Sequence, residues 1–256
     1  MKRLLIVNAD DCNLTPGVTK AILDCHDRGI LTSTTFMINL PVETPTVRAL
    51  IKRKNLGVGL HLNMTLGQPV SHPKQIRSLL SSEGRFRKVH EQLAKPPRAG
   101  EILTEYQNQI RRFRKIFGRL PTHLDTHHQI HDRPFFFQLL LKTARKNGLP
   151  VRRSQQTLTG IQKSSYKTTD YFFGNLTTEG YWRKEALETI LKNLPEGVSE
   201  MMCHPGKNDA SLKKISSFTA GREVEWHLFR APFFKQLISR LGVTLTHFGL
   251  CYTSRV

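Results

Sequence analysis

The 256-residue chain has few cysteines, a shortage of acidic side chains and no long apolar run. Its four cysteines are Cys12, Cys25, Cys203 and Cys251, and no two of them have the spacing of a zinc finger or a redox motif. A chain of this length buries enough surface to fold without disulfides or a structural metal. We therefore expect reduced thiols in a cytoplasmic protein.

No stretch of the sequence approaches the roughly 18 apolar residues that a membrane-spanning helix requires. The N-terminal Met1-Lys2-Arg3 resembles the basic start of a signal peptide. The apolar run that follows has only four residues before Asn8, whereas a signal peptide needs roughly 7–15. We therefore expect neither export nor membrane insertion.

Acidic residues number 20 against 39 Lys and Arg, which gives a formal net charge of +19. Such a charge permits nonspecific attraction to nucleic acid or to an anionic membrane. The densest basic group, between Arg111 and Arg119, lies in an amphipathic helix pattern and lacks an aromatic-interleaved nucleic-acid motif. We interpret the charge as a solvated basic surface, with no specific nucleic-acid or membrane partner. Polyanion binding and an anionic substrate are the alternatives.

Apolar, strand-like runs alternate with amphipathic, helix-like segments along the whole sequence. Strands are predicted at Arg3–Asn8, Ile30–Ile38, Leu56–Leu62, Thr122–Thr126, Pro150–Arg152, Val198–Cys203 and Val243–His247. One predicted helix begins at Thr15-Pro16 and ends at Gly29, and a long one covers Glu223–Arg240. This alternation predicts a parallel sheet in one α/β domain, either open and doubly wound or closed as a (β/α) barrel.

Acidic and imidazole side chains come in small clusters, each at the end of an apolar run. The clusters are Asp10 and Asp11; His61; Asp125, His127, His128 and His131; and His204. Because reactions occur at the carboxyl ends of parallel strands, four strand ends that share one rim favour the barrel. One Asp and two His are a divalent-metal ligand set, and a further Asp and His can serve as base and acid. The pattern predicts a metal-dependent hydrolase.

The first two clusters each have a second interpretation. The carboxylates of Asp10 and Asp11 repel each other unless a cation or an Arg lies between them, which favours one as metal ligand and one as base. Alternatively, one of them caps the following helix. His61 is followed by Asn63 at a polar strand end, which favours a ligand over a histidine of the apolar core.

The remaining clusters are also open to alternatives. His127 and His131 have the i, i+4 spacing of a zinc-binding helix, but no Glu follows His127, so we expect one strong ligand here, His127. Its neighbours would orient the ligands or contact substrate, unless the segment is only a polar turn. His204 suits a general acid, or a turn histidine. Arg152 or Arg153 follows a predicted strand and could pair with an Asp and lower its pKa.

Together these motifs resemble those of the YdjC-like carbohydrate deacetylases, whose best-known member is chitooligosaccharide deacetylase. The matching segments are Asn8-Ala9-Asp10-Asp11, Gly59-Leu60-His61-Leu62-Asn63, the run from Pro121 to His131, and Met202-Cys203-His204-Pro205-Gly206. Each motif is short, but their shared order and similar separations are specific. The resemblance extends from Lys2 to about Phe248.

The resemblance implies a single-domain, distorted (β/α) barrel of the glycoside hydrolase/deacetylase type. It implies hydrolytic removal of acetyl groups from small N-acetylated sugars or oligosaccharides, by attack of a metal-bound water on the acetamide. One divalent ion is expected, Mg²⁺ or Zn²⁺, with Co²⁺ or Ni²⁺ as further possibilities. The family is often associated with Mg²⁺, whereas two imidazoles and a carboxylate suit Zn²⁺, Co²⁺ or Ni²⁺. Sugar contacts are expected from residues 65–100 and 154–180, and a homodimer is compatible with the family.

The resemblance also implies a role for each motif residue. The implied metal ligands are Asp11, His61 and His127. The implied catalytic residues are Asp10 as base, His204 as acid and Arg152 as support for the base. The implied substrate-contacting or supporting residues are Asn63, Asp125, His128 and His131.

Two positions depart from the family pattern. The usual Asp-Asp-Phe-Gly is Asp10-Asp11-Cys12-Asn13 here, and Asn is the best replacement for Gly in a left-handed turn. Cys12 is a smaller neighbour for the metal and a potential ligand. Gln129 stands where the family often has another imidazole. Two alternatives therefore stay open: hydrolysis of an anionic phosphoester substrate, and a noncatalytic relative that binds sugars or polyanions.

Overall fold

The computed structural model describes residues 2–154, 166–174 and 180–252. The strands are β1 Arg3–Cys12, β2 Ser33–Phe36, β3 Gly57–Leu62, β4 Leu124–Thr126, β5 Tyr171–Phe173, β6 Gly197–Cys203 and β7 Thr244–Thr246. The helices are α1 Pro16–Arg28, α2 Thr44–Lys52, α3 Val89–Ala94, α4 Ala99–Phe117, α5 Pro134–Asn147, α6 Lys184–Lys192, α7 Ala210–Lys213, α8 Ala220–Phe229, α9 Pro232–Arg240 and α10 Phe248–Tyr252. Short 3₁₀ helices cover Pro73–Gln75, Arg77–Leu79 and His127–Asp132.

The strands form a seven-stranded sheet in the order β4-β3-β2-β1-β6-β5, with β7 beside β1. The pairings of β1 with β2, β6 and β7, of β3 with β4, and of β5 with β6 are all parallel. On one edge of β1, residues Leu4–Ile6 pair with β7 and residues from Asn8 onward pair with β2. The predicted parallel α/β sheet is confirmed.

The chain packs as two compact units. Unit 1 comprises Met1–Phe36, Arg48–Val58 and Thr169–Val256, and unit 2 comprises Met37–Val47 and Gly59–Thr168. In unit 1, β1 is the central strand and carries fully buried apolar side chains, among them Leu5, Ile6 and Val7. In unit 2, α4 and α5 pack together, and β3 pairs with β4. The organisation as one family domain stays a prediction.

The start of α1 follows from its sequence. The hydroxyl of Thr15 accepts a hydrogen bond from the backbone N–H of Val18, and Pro16 occupies the first turn, where a missing N–H costs nothing. At the other end, a Cβ on Gly29 would lie 1.9 Å from the carbonyl oxygen of Phe229. Glycine at this position therefore lets α1 end directly against the end of α8.

Two predicted elements differ from the structure, and one observed strand was not predicted. The single helix predicted over Glu223–Arg240 is wrong, because α8 ends at Phe229 and Pro232 begins α9. Ala231 before that proline has extended backbone angles, as the proline ring requires. The strand predicted at Pro150–Arg152 is reduced to one bridge between Val151 and Leu124. β5 was not predicted, since three residues are too few to show a period.

No helix in the described part of the chain is both long and apolar enough to cross a lipid bilayer. All four cysteines are free thiols, as predicted, and three of them are buried.

Candidate metal and catalytic site

The end of β1 places two carboxylates in the interior of unit 1. Asp10 and Asp11 are each only 2% exposed. Alternation along an extended strand puts Asn8 on the same face as Asp10, and the Asn8 amide donates a 3.0 Å hydrogen bond to Oδ1 of Asp10. Oδ2 of the same carboxylate lies 3.9 Å from Nε2 of His204. The predicted base and the predicted acid are thus neighbours in unit 1.

At Asp11 the side chains stop alternating between the two faces of the sheet, because its backbone is left-handed, with a φ of 65°. This turn brings its carboxylate to Arg222, whose Nη2 donates a 2.6 Å hydrogen bond to Oδ2. The ion pair supplies the cation that two adjacent carboxylates require. Sequence reasoning missed Arg222, since its helix shows only an ordinary amphipathic pattern and its partner lies 211 positions away.

The two residues after Asp11, Cys12 and Asn13, are the ones that replace the usual Phe-Gly of the family pattern. Asn13 has a φ of 75°, so it keeps the left-handed turn that glycine usually makes. Cys12 is fully buried, and burial raises the pKa of its thiol to about 12, more than hydrogen bonds from Thr34 and Thr19 lower it. Among the described residues, the groups of side chains that could hold a metal ion do not include Cys12.

The backbone at the end of β6 is held by Glu225 of α8. The N–H of His204 and the N–H of Trp182 each donate a hydrogen bond to one oxygen of this carboxylate. Glu225 is fully buried. Desolvation raises the pKa of its carboxyl group from 4.5 to about 7, against the lowering effect of the two backbone hydrogen bonds and of Arg222. No sequence motif predicted this contact.

In unit 2, the register of the sheet joins His61 to Asp125. The two residues are direct partners in the β3–β4 pair, and Nδ1 of His61 lies 2.7 Å from Oδ1 of Asp125. The other carboxylate oxygen of Asp125 lies 3.0 Å from Nη1 of Arg152, and all three residues are essentially buried. Arg152 therefore pairs with the carboxylate that holds His61, a partner that the sequence left open.

The second nitrogen of His61 faces a second histidine. Its Nε2 lies 3.3 Å from Nδ1 of His127, which directly follows β4. The Asp125 carboxylate can only accept, so His61 carries its proton on Nδ1 and presents a lone pair on Nε2. Two nitrogen ligands at roughly 2.0–2.1 Å from a tetrahedral ion lie about 3.3 Å apart. The donor pair, with a carboxylate behind one imidazole, fits a metal ion.

The segment after His127 does not form a regular helix. His128 and Gln129 have positive φ values of 57° and 45°, so His127 and His131 do not share an α-helical face. His128 lies 2.9 Å from the hydroxyl of Thr65, and Nδ1 of His131 lies 2.6 Å from the hydroxyl of Thr126. His128 is therefore tied to the chain that follows β3, and His131 to the end of β4.

The amide of Asn63 organises the turn that follows His61. Its oxygen accepts hydrogen bonds from the N–H groups of Thr65 and Leu66, and its nitrogen donates to the side chain of Asn39. Gln109 of α4 bonds to both backbone groups of Asn63. These contacts give Asn63 a role in the shape of this turn.

Residues 63–71, here called the β3 loop, are fastened to α4 at a second point. The buried carboxylate of Glu105 accepts hydrogen bonds from the N–H groups of Val70, at 3.0 Å, and Ser71, at 2.9 Å. This loop opens the first segment from which sugar contacts are expected. The second expected segment lies partly outside the described residues, because 155–165 and 175–179 are not among them.

Among the described residues, Asp and His side chains form groups that could hold a metal ion. Residues 4–240 match the family described as YdjC-like protein. The chain belongs to the YdjC-like family. The resemblance noted from the four motifs is thereby confirmed.

Curated relatives match this chain over nearly their full length. A carbohydrate deacetylase of Thermoanaerobacter pseudethanolicus is 33% identical, over 97% of this chain and 99% of the relative. A chitooligosaccharide deacetylase of Yersinia enterocolitica is 31% identical, over 98% of this chain and 100% of the relative.

Two solved structures with the same fold differ in how similar they are to this chain. A candidate cellobiose-phosphate cleavage protein from Enterococcus faecalis has a TM-score of 0.91 at 28% identity, and the match covers 99% of this chain and all of the other. A family 4 carbohydrate esterase from Streptomyces lividans has a TM-score of 0.51 at 11% identity, covering 95% and 91%. The expected fold class, an α/β distorted barrel of the deacetylase type, is confirmed.

Proposed function

We propose that this YdjC-like protein is a metal-dependent carbohydrate deacetylase that hydrolyses the acetamide of an N-acetylated sugar. The single observation that carries the proposal is the nitrogen pair of His61 and His127, 3.3 Å apart, with Asp125 behind His61. The names of the curated relatives supply the reaction and the sugar class.

The proposed metal ligands are Asp11, His61 and His127, as the motif positions imply. Two imidazoles and one carboxylate suit Zn²⁺, Co²⁺ or Ni²⁺ better than Mg²⁺, which prefers oxygen ligands. Asp125 would orient His61, and Arg152 would act through Asp125 by balancing its charge. Three protein ligands leave positions open for water and substrate, as a catalytic site requires.

A bound divalent ion supplies Lewis-acid polarisation of the acetamide carbonyl and acidifies water. Asp10 would accept the proton of the attacking water. His204, whose Nε2 lies 3.9 Å from Oδ2 of Asp10, would donate a proton to the departing amine nitrogen. Each of these proton transfers is typically worth about 10²–10⁴ in rate. The products are acetate and the free amino sugar.

An anionic substrate is the second candidate. The net charge of +19 favours it, and the similar Enterococcus faecalis protein is described by cleavage of a cellobiose phosphate. A phosphorylated N-acetylated disaccharide and a phosphoester without an acetyl group would separate the two activities. Acetate release from the former supports deacetylation, and phosphate release from the latter supports a phosphoesterase.

The test begins with purified, metal-stripped protein and N,N′-diacetylchitobiose, its phosphorylated form and N-acetylglucosamine. Zn²⁺, Co²⁺, Ni²⁺ or Mg²⁺ is added back singly, and acetate is measured. Asp10→Asn is expected to lose turnover and to keep its metal affinity, whereas His61→Ala is expected to lose both. Loss of metal from Asp10→Asn would instead place Asp10 among the ligands. Metal binding without any acetate release would support a noncatalytic binding protein.

The cytoplasmic location and the homodimer stay predictions. Fractionation of cells that produce the chain, and light scattering of the purified protein, test them separately.

A further inference from the structure

Side chains from outside the sheet form hydrogen bonds to the backbone at the end of β6. The carboxylate of Glu225 accepts from the backbone N–H of His204 and, over 3.1 Å, from the backbone N–H of Trp182. The indole Nε1 of Trp182 donates in turn to the carbonyl oxygen of Met202 over 2.7 Å. Glu225 and Trp182 therefore fix the backbone on both sides of Cys203.

A second contact fixes the ring of His204 itself. The aromatic ring of Phe218 meets the imidazole edge-on, with 5.8 Å between the ring centroids. A Cβ on Gly221 would lie 2.5 Å from Cε2 of Phe218, so only glycine leaves room for this ring. The guanidinium of Arg222 lies over the face of Phe218, at 5.4 Å from its centroid. The first turn of α8 thus holds Phe218 against His204.

We propose that Glu225 is a positioning residue for His204, because its carboxylate fixes the backbone from which the imidazole projects. Glu225 lies three residues after Arg222, so the two side chains leave the same side of α8. Arg222 holds Asp11 and Glu225 holds the strand end at His204, which makes α8 the helix that aligns both residues. The inference rests on the proposed function, in which His204 protonates the leaving nitrogen.

The two acceptor bonds require a carboxylate at this position. Each oxygen of ionised Glu225 accepts from one backbone N–H, whereas glutamine offers one acceptor and would turn an N–H₂ group toward the other donor. A protonated carboxyl group is likewise a weaker partner for one of the two N–H groups. Positioning is therefore strongest when Glu225 is ionised.

The groups around Glu225 set the pH at which its carboxyl group ionises. Burial and, to a smaller extent, Asp10 on β1 raise the pKa of its carboxyl group, the two backbone hydrogen bonds and Arg222 on α8 lower it, and the net result is a pKa of about 7. Cys25 on α1 also faces Glu225, with a thiol whose pKa burial raises far above its usual value. The thiol is therefore uncharged near neutral pH, and Arg222 and Asp10 carry the charges that act on Glu225.

The kinetic test compares Glu225→Gln with Glu223→Gln, which removes the same charge two residues away at a half-buried position of α8. Glu225→Gln is expected to lower kcat about 10- to 100-fold with KM unchanged, as for other groups that orient catalytic residues. Glu223→Gln is expected to match the wild type. Equal kcat values for the two variants would overturn the proposal.

A spectroscopic test does not depend on turnover. The chain has two tryptophans, so ¹⁵N-Trp labelling gives two backbone amide signals, and Trp226→Phe leaves the signal of Trp182. This signal is expected to shift with pH around a midpoint near 7, and to lose that shift in Glu225→Gln. If Glu225→Gln does not fold, His204→Gln is measured instead. In this variant the Trp182 signal must still shift with pH, because the shift is attributed to Glu225 and not to His204. A Trp182 signal that ignores pH, or that follows His204, would overturn the proposal.

The outcomes separate this inference from the function on which it rests. Wild-type protein that releases no acetate from any substrate with any metal contradicts the proposed function, and the Trp182 titration still decides whether Glu225 controls this backbone. Active wild-type protein with an equally active Glu225→Gln variant contradicts the positioning role and leaves the deacetylase function intact.

Discussion

Arg222 and Asp11 form an ion pair of 2.6 Å in the interior of unit 1, where their side chains are 5% and 3% exposed. The pair joins the left-handed turn at the end of β1 to the first turn of α8. Because one oxygen of Asp11 is committed to a guanidinium, the carboxylate is oriented before any ion arrives. The ion pair therefore orients the carboxylate of Asp11, a proposed metal ligand, as soon as the chain has folded.

Removal of this arginine is expected to destabilise the protein. Arg222→Met leaves the Asp11 charge buried with its guanidinium lost, which typically costs about 3–5 kcal/mol in the free energy of unfolding. Urea unfolding monitored by circular dichroism measures the loss. The control is Arg53→Met, which breaks the more exposed pair with Asp27 and is expected to cost at most about 1 kcal/mol. Equal losses in the two variants would contradict the structural role of Arg222.

Asp125 is expected to control metal affinity through His61. Asp125→Asn weakens the charge-assisted contact to Nδ1 of His61 and removes the charge that balances Arg152, so Zn²⁺ affinity should fall about 10- to 100-fold. Calorimetric titration of the metal-stripped variant gives this ratio. Asp132→Asn, a half-buried neighbour in the same segment, should bind Zn²⁺ like the wild type. Unchanged affinity in Asp125→Asn would exclude His61 as a ligand oriented by this carboxylate.

Gln109 is expected to keep the start of the β3 loop closed. Gln109→Leu removes both hydrogen bonds to the backbone of Asn63, worth about 1 kcal/mol each. Local opening should therefore become about 10- to 30-fold more frequent, and hydrogen exchange at the Asn63 amide should rise by the same factor. Gln107→Leu, on a less buried face of α4, is the matched control. Unchanged exchange at Asn63 would show that Glu105 and Asn39 suffice to hold the loop.

Glu225 is expected to make folding stability fall as pH rises from about 4.5 to 7. Its pKa is about 7 in the folded protein against 4.5 in the unfolded chain, so the folded state binds the proton more tightly across this window. The contribution amounts to about 3 kcal/mol between the two ends of the window. Unfolding of the wild type and of Glu225→Gln is measured at several pH values, because the difference between them isolates this group. A difference that does not vary with pH would show that Glu225 does not titrate in this range.

The strand-end residues of the site could be predicted because their position and chemistry coincide in the sequence. Asp10, Asp11, His61 and His204 each follow an apolar run, and Asn13 was expected to replace glycine in a left-handed turn, which its φ of 75° confirms. Arg222 and Glu225 could not be predicted, since they lie on an amphipathic helix and act on backbone and side chains far away in sequence. Pro232 marks the boundary between α8 and α9. The boundary was missed because the apolar period of the sequence continues across this proline.

The pairing of Arg152 shows a different limit of sequence reasoning. An arginine after a strand was expected to pair with some aspartate, and the sequence offered several. The register of β3 against β4 fixes the answer, because it turns Asp125 toward His61 and leaves its second oxygen to Arg152. Register depends on the folded sheet, so this contact was accessible only from the structure.

The place of β1 in the sheet has a consequence for the synthesis of the protein. β1 comes before β6 and β7 along the chain and leaves the ribosome before them, yet its pairs with these strands require residues up to Thr246. Such nonlocal pairs make folding slow, because the intervening chain must be ordered before they can form. During translation β1 can pair with β2 and contact α1 before β6 and β7 have been made, so we expect nascent chains to engage chaperones until β7 emerges.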